Sequence, residues 1–132
     1  MNFVLKTVFP VAIILLAACQ PSPPKTANPD RAAVAAARAT LLARHDSAMV
    51  KAERLRELKE RIGQRPDGIA CARRLDGADA AMMRWMNNYA PDTAKPAAVQ
   101  LVYFREQQAR LAAVETRMQT ALDSGRTLLD QR

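Results

Sequence analysis

Two short runs carry most of the side chains that could do chemistry. HDSAM, His45 to Met49, holds the chain's only histidine; MMRWM, Met82 to Met86, holds three of its six methionines and its only tryptophan. In a helix, residues three and four apart share a face, so His45 and Met49 pair on one helix, while Met82, Met86 and either Met83 or Trp85 group on the other. One imidazole with two or three thioethers is a soft, neutral donor set. Thioethers select Cu(I), and Ag(I) by similarity, over zinc, calcium or magnesium, which want thiolate, imidazole or hard oxygen ligands. The candidate ligands are therefore His45, Met49, Met82 and Met86. Asp46, Asp79, Met83 and Trp85 stand around them, Trp85 either attracting the cation through its ring face or acting only as a hydrophobic lid.

The same residues also describe plain packing. Unbranched thioethers fill irregular gaps in cores and pack well against aromatic edges. On that reading His45 is satisfied by a carboxylate, either Asp46 next to it or Asp79 one turn from Met82 and Met83, and nothing binds. Both readings require the two runs to meet.

A helical hairpin is what must bring them together. With Asp30 as a candidate N-cap, the chain runs to Gly63 without an intervening Gly or Pro. Leu42, His45, Met49, Ala52, Leu55, Leu58 and Ile62 fall at three- and four-residue steps, which makes one long amphipathic helix over about 30–63. GQRPDG, Gly63 to Gly68, reads as a helix stop and turn, with Gly63 suited to the C-cap. A second helix over about 68–89 carries the stripe Ile69, Ala72, Leu75, Asp79, Met82, Met83 and Met86. APDTAKP interrupts the chain, and a third helix over about 95–129 carries Leu101, Phe104, Leu111, Met118, Leu122 and Leu129, fraying or ending near Gly125. No segment alternates as a strand. The expected fold is all-α, an antiparallel up-down-up three-helix bundle over 30–132.

His45 lies twenty residues before Arg65 and Trp85 twenty after it. Helices rise equally per residue, so a tight turn there puts the two runs at one height, with Met49 opposite Ala81 and Met82. The second helix is the shortest. An end of the third, or the Ala-rich start of the first, should therefore overhang and offer a surface for self-association or for another protein.

Ahead of the bundle, residues 1–18 combine Lys6, an apolar run and small residues before Cys19, the pattern of a secretory signal peptide. Leu16-Ala17-Ala18-Cys19 resembles the lipobox of bacterial lipoproteins, which implies that Cys19 is acylated, with palmitate among the acyl groups, and becomes the first residue of the mature chain. Gln20 rather than Asp after it implies, by the same resemblance, the periplasmic face of the outer membrane. Residues 19–29 hold Pro21, Pro23, Pro24 and Pro29, a tether that could extend roughly 30 Å. Cys71 then has no partner for a disulfide within the chain. Without residues 1–18 the chain keeps nineteen Lys and Arg against thirteen Asp and Glu, a formal net charge of +6. The basic residues alternate with acids instead of forming a block, which points to a solvated surface near anionic lipid rather than to nucleic acid.

HDSAM and ADAAMMRWMNNY on successive helices, followed by a long helix ending in LDSGRTLL, resemble a family of small bacterial helical lipoproteins commonly labelled viral A-type inclusion protein. The resemblance covers about Ala39 to Leu129. It implies the helical fold and the grouping of His45, Asp46, Met49, Met82, Met83, Trp85 and Met86, but no particular biochemical role. There is no Gly-rich phosphate loop, no CxxC, CxxCH or HExxH, and no nucleophile with a base at a recognisable spacing, so no enzyme is expected. The expectation is a lipid-anchored periplasmic protein that binds or buffers a soft metal ion, most simply Cu(I). The alternative is a structural or adaptor lipoprotein of the envelope, with the His and Met cluster as core.

Overall fold

Asn28 starts the first helix. Its Oδ1 accepts a hydrogen bond from the Asp30 amide at 3.0 Å, and Pro29 follows in the first turn, where a missing N–H costs nothing. The cap thus falls two residues before the expected Asp30, because Asn followed by Pro is the better start. The structure, a computed structural model, describes residues 28–131; the proposed signal peptide over 1–18, Cys19 and the tether as far as residue 27 lie outside the described residues.

Three helices follow: α1, Pro29–Gly63; α2, Ile69–Asn87; and α3, Ala97–Asp130. Each packs on both others, and no strand occurs among the described residues. Gln108 Nε2 donates to the Ala37 carbonyl at 3.1 Å, and Arg44 pairs with Glu115, each partner 71 residues on. That constant offset means α1 and α3 run parallel, with α2 antiparallel between them, the up-down-up bundle expected. No helix among the described residues is long and apolar enough to cross a membrane.

The core is built from Leu41, Ala48, Ala52, Leu55, Leu58 and Ile62 of α1, Cys71, Leu75, Ala78, Met82 and Trp85 of α2, and Phe104, Leu111, Met118, Ala121 and Leu122 of α3. Each fully buried Leu, Ile, Phe or Met contributes about 1.5–3 kcal/mol relative to exposure. The expected stripes are rotated in places. Leu41 is 0% exposed and Leu42 41%, while Ile69 and Met83 also face solvent. The reason is that α1 packs on two neighbours, so its buried arc is centred on the small Ala48 and Ala52, which let the helices approach, and continues back to Leu41.

Two glycines act differently from the expectation. Gly63 lies inside α1, with Gln64 as a right-handed C-cap, and no described residue has positive φ. Gly125 does not end α3. A Cβ there would lie 2.5 Å from Leu58 Cδ2, so its bare backbone lets α3 close onto α1.

The α1–α2 turn is fixed by Arg65, whose Nε and Nη2 donate to the two Asp67 oxygens at 2.9 and 2.8 Å. The guanidinium beside it holds the Asp67 carboxyl below its ordinary range. At the other end, where α2 stops, the first turns of α1 are mostly exposed, and Pro91 and Thr93 of the α2–α3 connection line, with Arg31, Arg38, Leu42 and Phe104, a groove of about 360 Å³ along them.

Candidate metal centre

α1 and α2 bring His45 and Met86 together. The Nε2 atom lies 3.3 Å from the Met86 sulfur, and Nδ1 lies 3.2 Å from Asp46 Oδ1. Both neighbours are acceptors, whereas a neutral imidazole has one donor and one lone pair. With its proton on Nδ1 the neutral ring would donate to the Asp46 carboxylate, the stronger acceptor of the two. Nε2 then turns its lone pair toward a thioether, two Lewis bases side by side with no hydrogen between them. Imidazole nitrogens that hold metals are commonly oriented this way, the far N–H fixed by a carboxylate. The His45 side chain is 25% exposed, so the pair is reachable from solvent.

The other sequence-predicted residues divide. Trp85 packs beside the imidazole, ring centroids 5.9 Å apart. Met49 is half-buried against the core. Its antiparallel register, fixed by the His45–Met86 contact, places it one turn above, level with Met82 and Met83. Met82 itself is 1% exposed and belongs to the core, whereas Met83 is 46% exposed and turned outward. The choice left open between Met83 and Trp85 as the third member of the α2 group therefore falls to Trp85. Asp79 does not join the histidine. It lies 3.7 Å from Arg56 Nε, its Oδ1 buried without a hydrogen bond, because antiparallel register sets it two turns up α1 from His45. Among the described residues no three His, Cys, Asp or Glu side chains come together as a ligand group.

An aromatic run continues from the imidazole. Trp85 stacks on Tyr89 at 5.5 Å between centroids, Tyr89 meets Tyr103 at 6.1 Å, and Tyr103 meets Phe104 edge-on at 5.6 Å. Trp85 Nε1 and the Tyr89 hydroxyl are buried without hydrogen-bond partners, whereas the Tyr103 hydroxyl accepts from the Ala90 amide at 2.8 Å. Burial pushes the Tyr89 phenol up, and the Arg38 charge partly offsets this. Tyr89 and Tyr103 were not foreseen as part of the site. The i, i+4 step from Trp85 to Tyr89 was the available signal for the first, while the second comes from α3 and has no local one.

Cys71 is buried and unpaired. Comparison of the chain with protein-family models, with curated proteins and with solved structures gave no match.

Proposed function

We propose that this is a lipid-anchored helical protein of the bacterial envelope that binds or buffers a soft monovalent ion, Cu(I) in the first place and Ag(I) by the same chemistry. His45 and Met86 are the principal ligands, and Met49 and Met82 supply further sulfurs from the next turn. The observation that carries the reading is the imidazole held between Asp46 and Met86, with its second nitrogen aimed at a thioether. Trp85 shields the ion, and Asp46 orients the ring.

The test is titration of the purified protein with Cu(I) under reducing conditions, following Trp85 fluorescence. One equivalent bound with quenching, and loss of both in His45→Ala and Met86→Leu, supports the reading. Uptake that those substitutions leave unchanged rejects it. One observation favours the adaptor alternative: Met82 sits in the apolar core. A metal-free protein that binds no Cu(I) but co-purifies with an envelope protein decides for that alternative.

A further inference from the structure

The α2–α3 groove, on the side of the bundle away from His45, is lined by two guanidinium groups. Arg74 of α2 and Arg117 of α3 border a groove of about 320 Å³ whose floor is Ala121 and whose remaining wall carries the hydroxyls of Thr120 and Ser124. Among the described residues neither arginine has a carboxylate within ion-pair distance. Asp67 and Asp123 line an adjoining pocket with Arg74, Thr120 and Ser124, and both are engaged elsewhere. Asp123 accepts from Gln119 Nε2 at 2.9 Å and pairs with Arg126, and Asp67 is held by Arg65. Both arginines are exposed, so their guanidinium groups are open to a ligand from solvent.

Gly77 makes the placement specific. It lies in the interior of α2, where glycine is a poor helix former. A Cβ at this position would lie 3.1 Å from Arg117 Nη2. The guanidinium of Arg117 therefore reaches from α3 to the α2 backbone at Gly77.

We infer that the groove between Arg74 and Arg117 is a binding site for a phosphate group. Guanidinium forks match phosphate oxygens bidentately, and two of them suit a multiply charged oxyanion better than a single carboxylate. Thr120 and Ser124 now donate to the carbonyls of Thr116 and Thr120, and each hydroxyl can rotate its proton toward an anion. The phosphate comes either from a small soluble ion or ester or from the head group of an anionic lipid. The site is independent of the metal reading.

The experiment uses the full chain in neutral detergent, with the Gly77 amide and the Arg74 and Arg117 Nε–H resonances followed by NMR. Inorganic phosphate is one probe. A short-chain phosphatidylglycerol, with short-chain phosphatidylcholine as its charge-neutral control, is the other. Saturable shifts at these three residues are expected. Arg74→Ala and Arg117→Ala should weaken binding about tenfold or more, the scale of a lost charge-assisted hydrogen bond. Arg105→Ala removes the same charge from an exposed position on α3 twelve residues, about 18 Å, before Arg117 and should change binding less than about twofold, as a screened distant charge does. Retained helicity by circular dichroism shows that the fold of each variant is intact. Saturation by inorganic phosphate assigns a soluble source. Saturation by phosphatidylglycerol alone assigns a lipid head group. No saturable shift with either probe at millimolar concentration, or equal weakening by Arg105→Ala and Arg117→Ala, overturns the inference.

Discussion

Nε2 of His45 lies 3.3 Å from the sulfur of Met86, and among the described residues no other sulfur is in hydrogen-bonding contact with that imidazole. The two atoms sit on different helices, so the contact depends on the bundle and not on local sequence. Met86→Leu keeps the volume of the side chain and removes the donor. Such swaps cost less than about 1.5 kcal/mol, so the protein should unfold within a few degrees of the parent. Cu(I) affinity, measured by competition with a chromogenic chelator, should fall about tenfold or more, the cost of one lost ligand of 1.4 kcal/mol or above. Met49→Leu and Met82→Leu should cost less, since neither sulfur faces Nε2. An unchanged affinity in Met86→Leu removes the metal site.

Tyr89 offers a second readout. Its hydroxyl is buried without a hydrogen bond, and desolvation raises its pKa, with the Arg38 charge acting in the opposite sense. An acid whose folded pKa is raised holds its proton more tightly when folded. The corresponding stability is fully present below the unfolded tyrosine value of about 10 and is lost as pH climbs from there through the folded value. Absorbance titration should show a phenol ionising later than free tyrosine, and Tyr89→Phe should delete that step. Arg38→Ala should push the step higher still, because it removes the charge that favours the phenolate. A late step that survives in Tyr89→Phe would assign it elsewhere.

Much of this arrangement is legible from residue spacing. The Gly- and Pro-free run ending at Gly63, the breaks at GQRPDG and APDTAKP, and the equal spacing of His45 and Trp85 about Arg65 are enough to set three helices and to bring HDSAM level with MMRWM. What was not legible depends on the third helix. Leu41 rather than Leu42 is buried because α1 packs on both neighbours, and a stripe scored by size overlooks Ala48, whose value is closeness. Asp79 answers Arg56 instead of His45, a choice between two partners on one helix that register alone decides. Gly125 reads as a helix end in sequence and is an interhelical contact in space. Tyr103 reaches Tyr89 across fourteen residues and a turn, with no periodic signal to announce it.

Gly63 and Gly68 bracket the same turn and should respond to alanine with opposite sign. Gly63 has no atom within 4 Å of where a Cβ would lie, and its φ is not positive. Gly63→Ala therefore removes unfolded-state freedom without strain and should stabilise by about 0.4–1 kcal/mol. At Gly68 a Cβ would sit 2.1 Å from the Ile62 carbonyl oxygen, a backbone atom that cannot rotate away. Gly68→Ala must open the turn held by Arg65 and Asp67, and should destabilise by about 1–3 kcal/mol, the usual cost of overpacking. Chemical denaturation of the two variants checks both signs together. A Gly68→Ala protein as stable as the parent would mean that the turn is looser than its contacts imply.

Arg44 and Glu115 join the two parallel helices at the height of the imidazole. The Glu115 side chain is 15% exposed and that of Arg44 39%, so the pair is only partly screened by solvent. Removing one partner leaves the other half-buried without its counter-charge, and each single alanine variant should lose about 1–2 kcal/mol, between the ranges for exposed and buried pairs. The double variant should lose less than the sum, with a coupling of about 0.5–1 kcal/mol. Arg44 is adjacent in sequence to His45, so the same pair holds the register of α1 on α3 beneath the proposed metal ligand. In the Glu115→Ala protein, Cu(I) affinity should therefore fall by a few-fold while Met86→Leu still abolishes most of what remains. A vanishing coupling energy in the cycle would show the contact to be a surface pairing with no part in positioning His45.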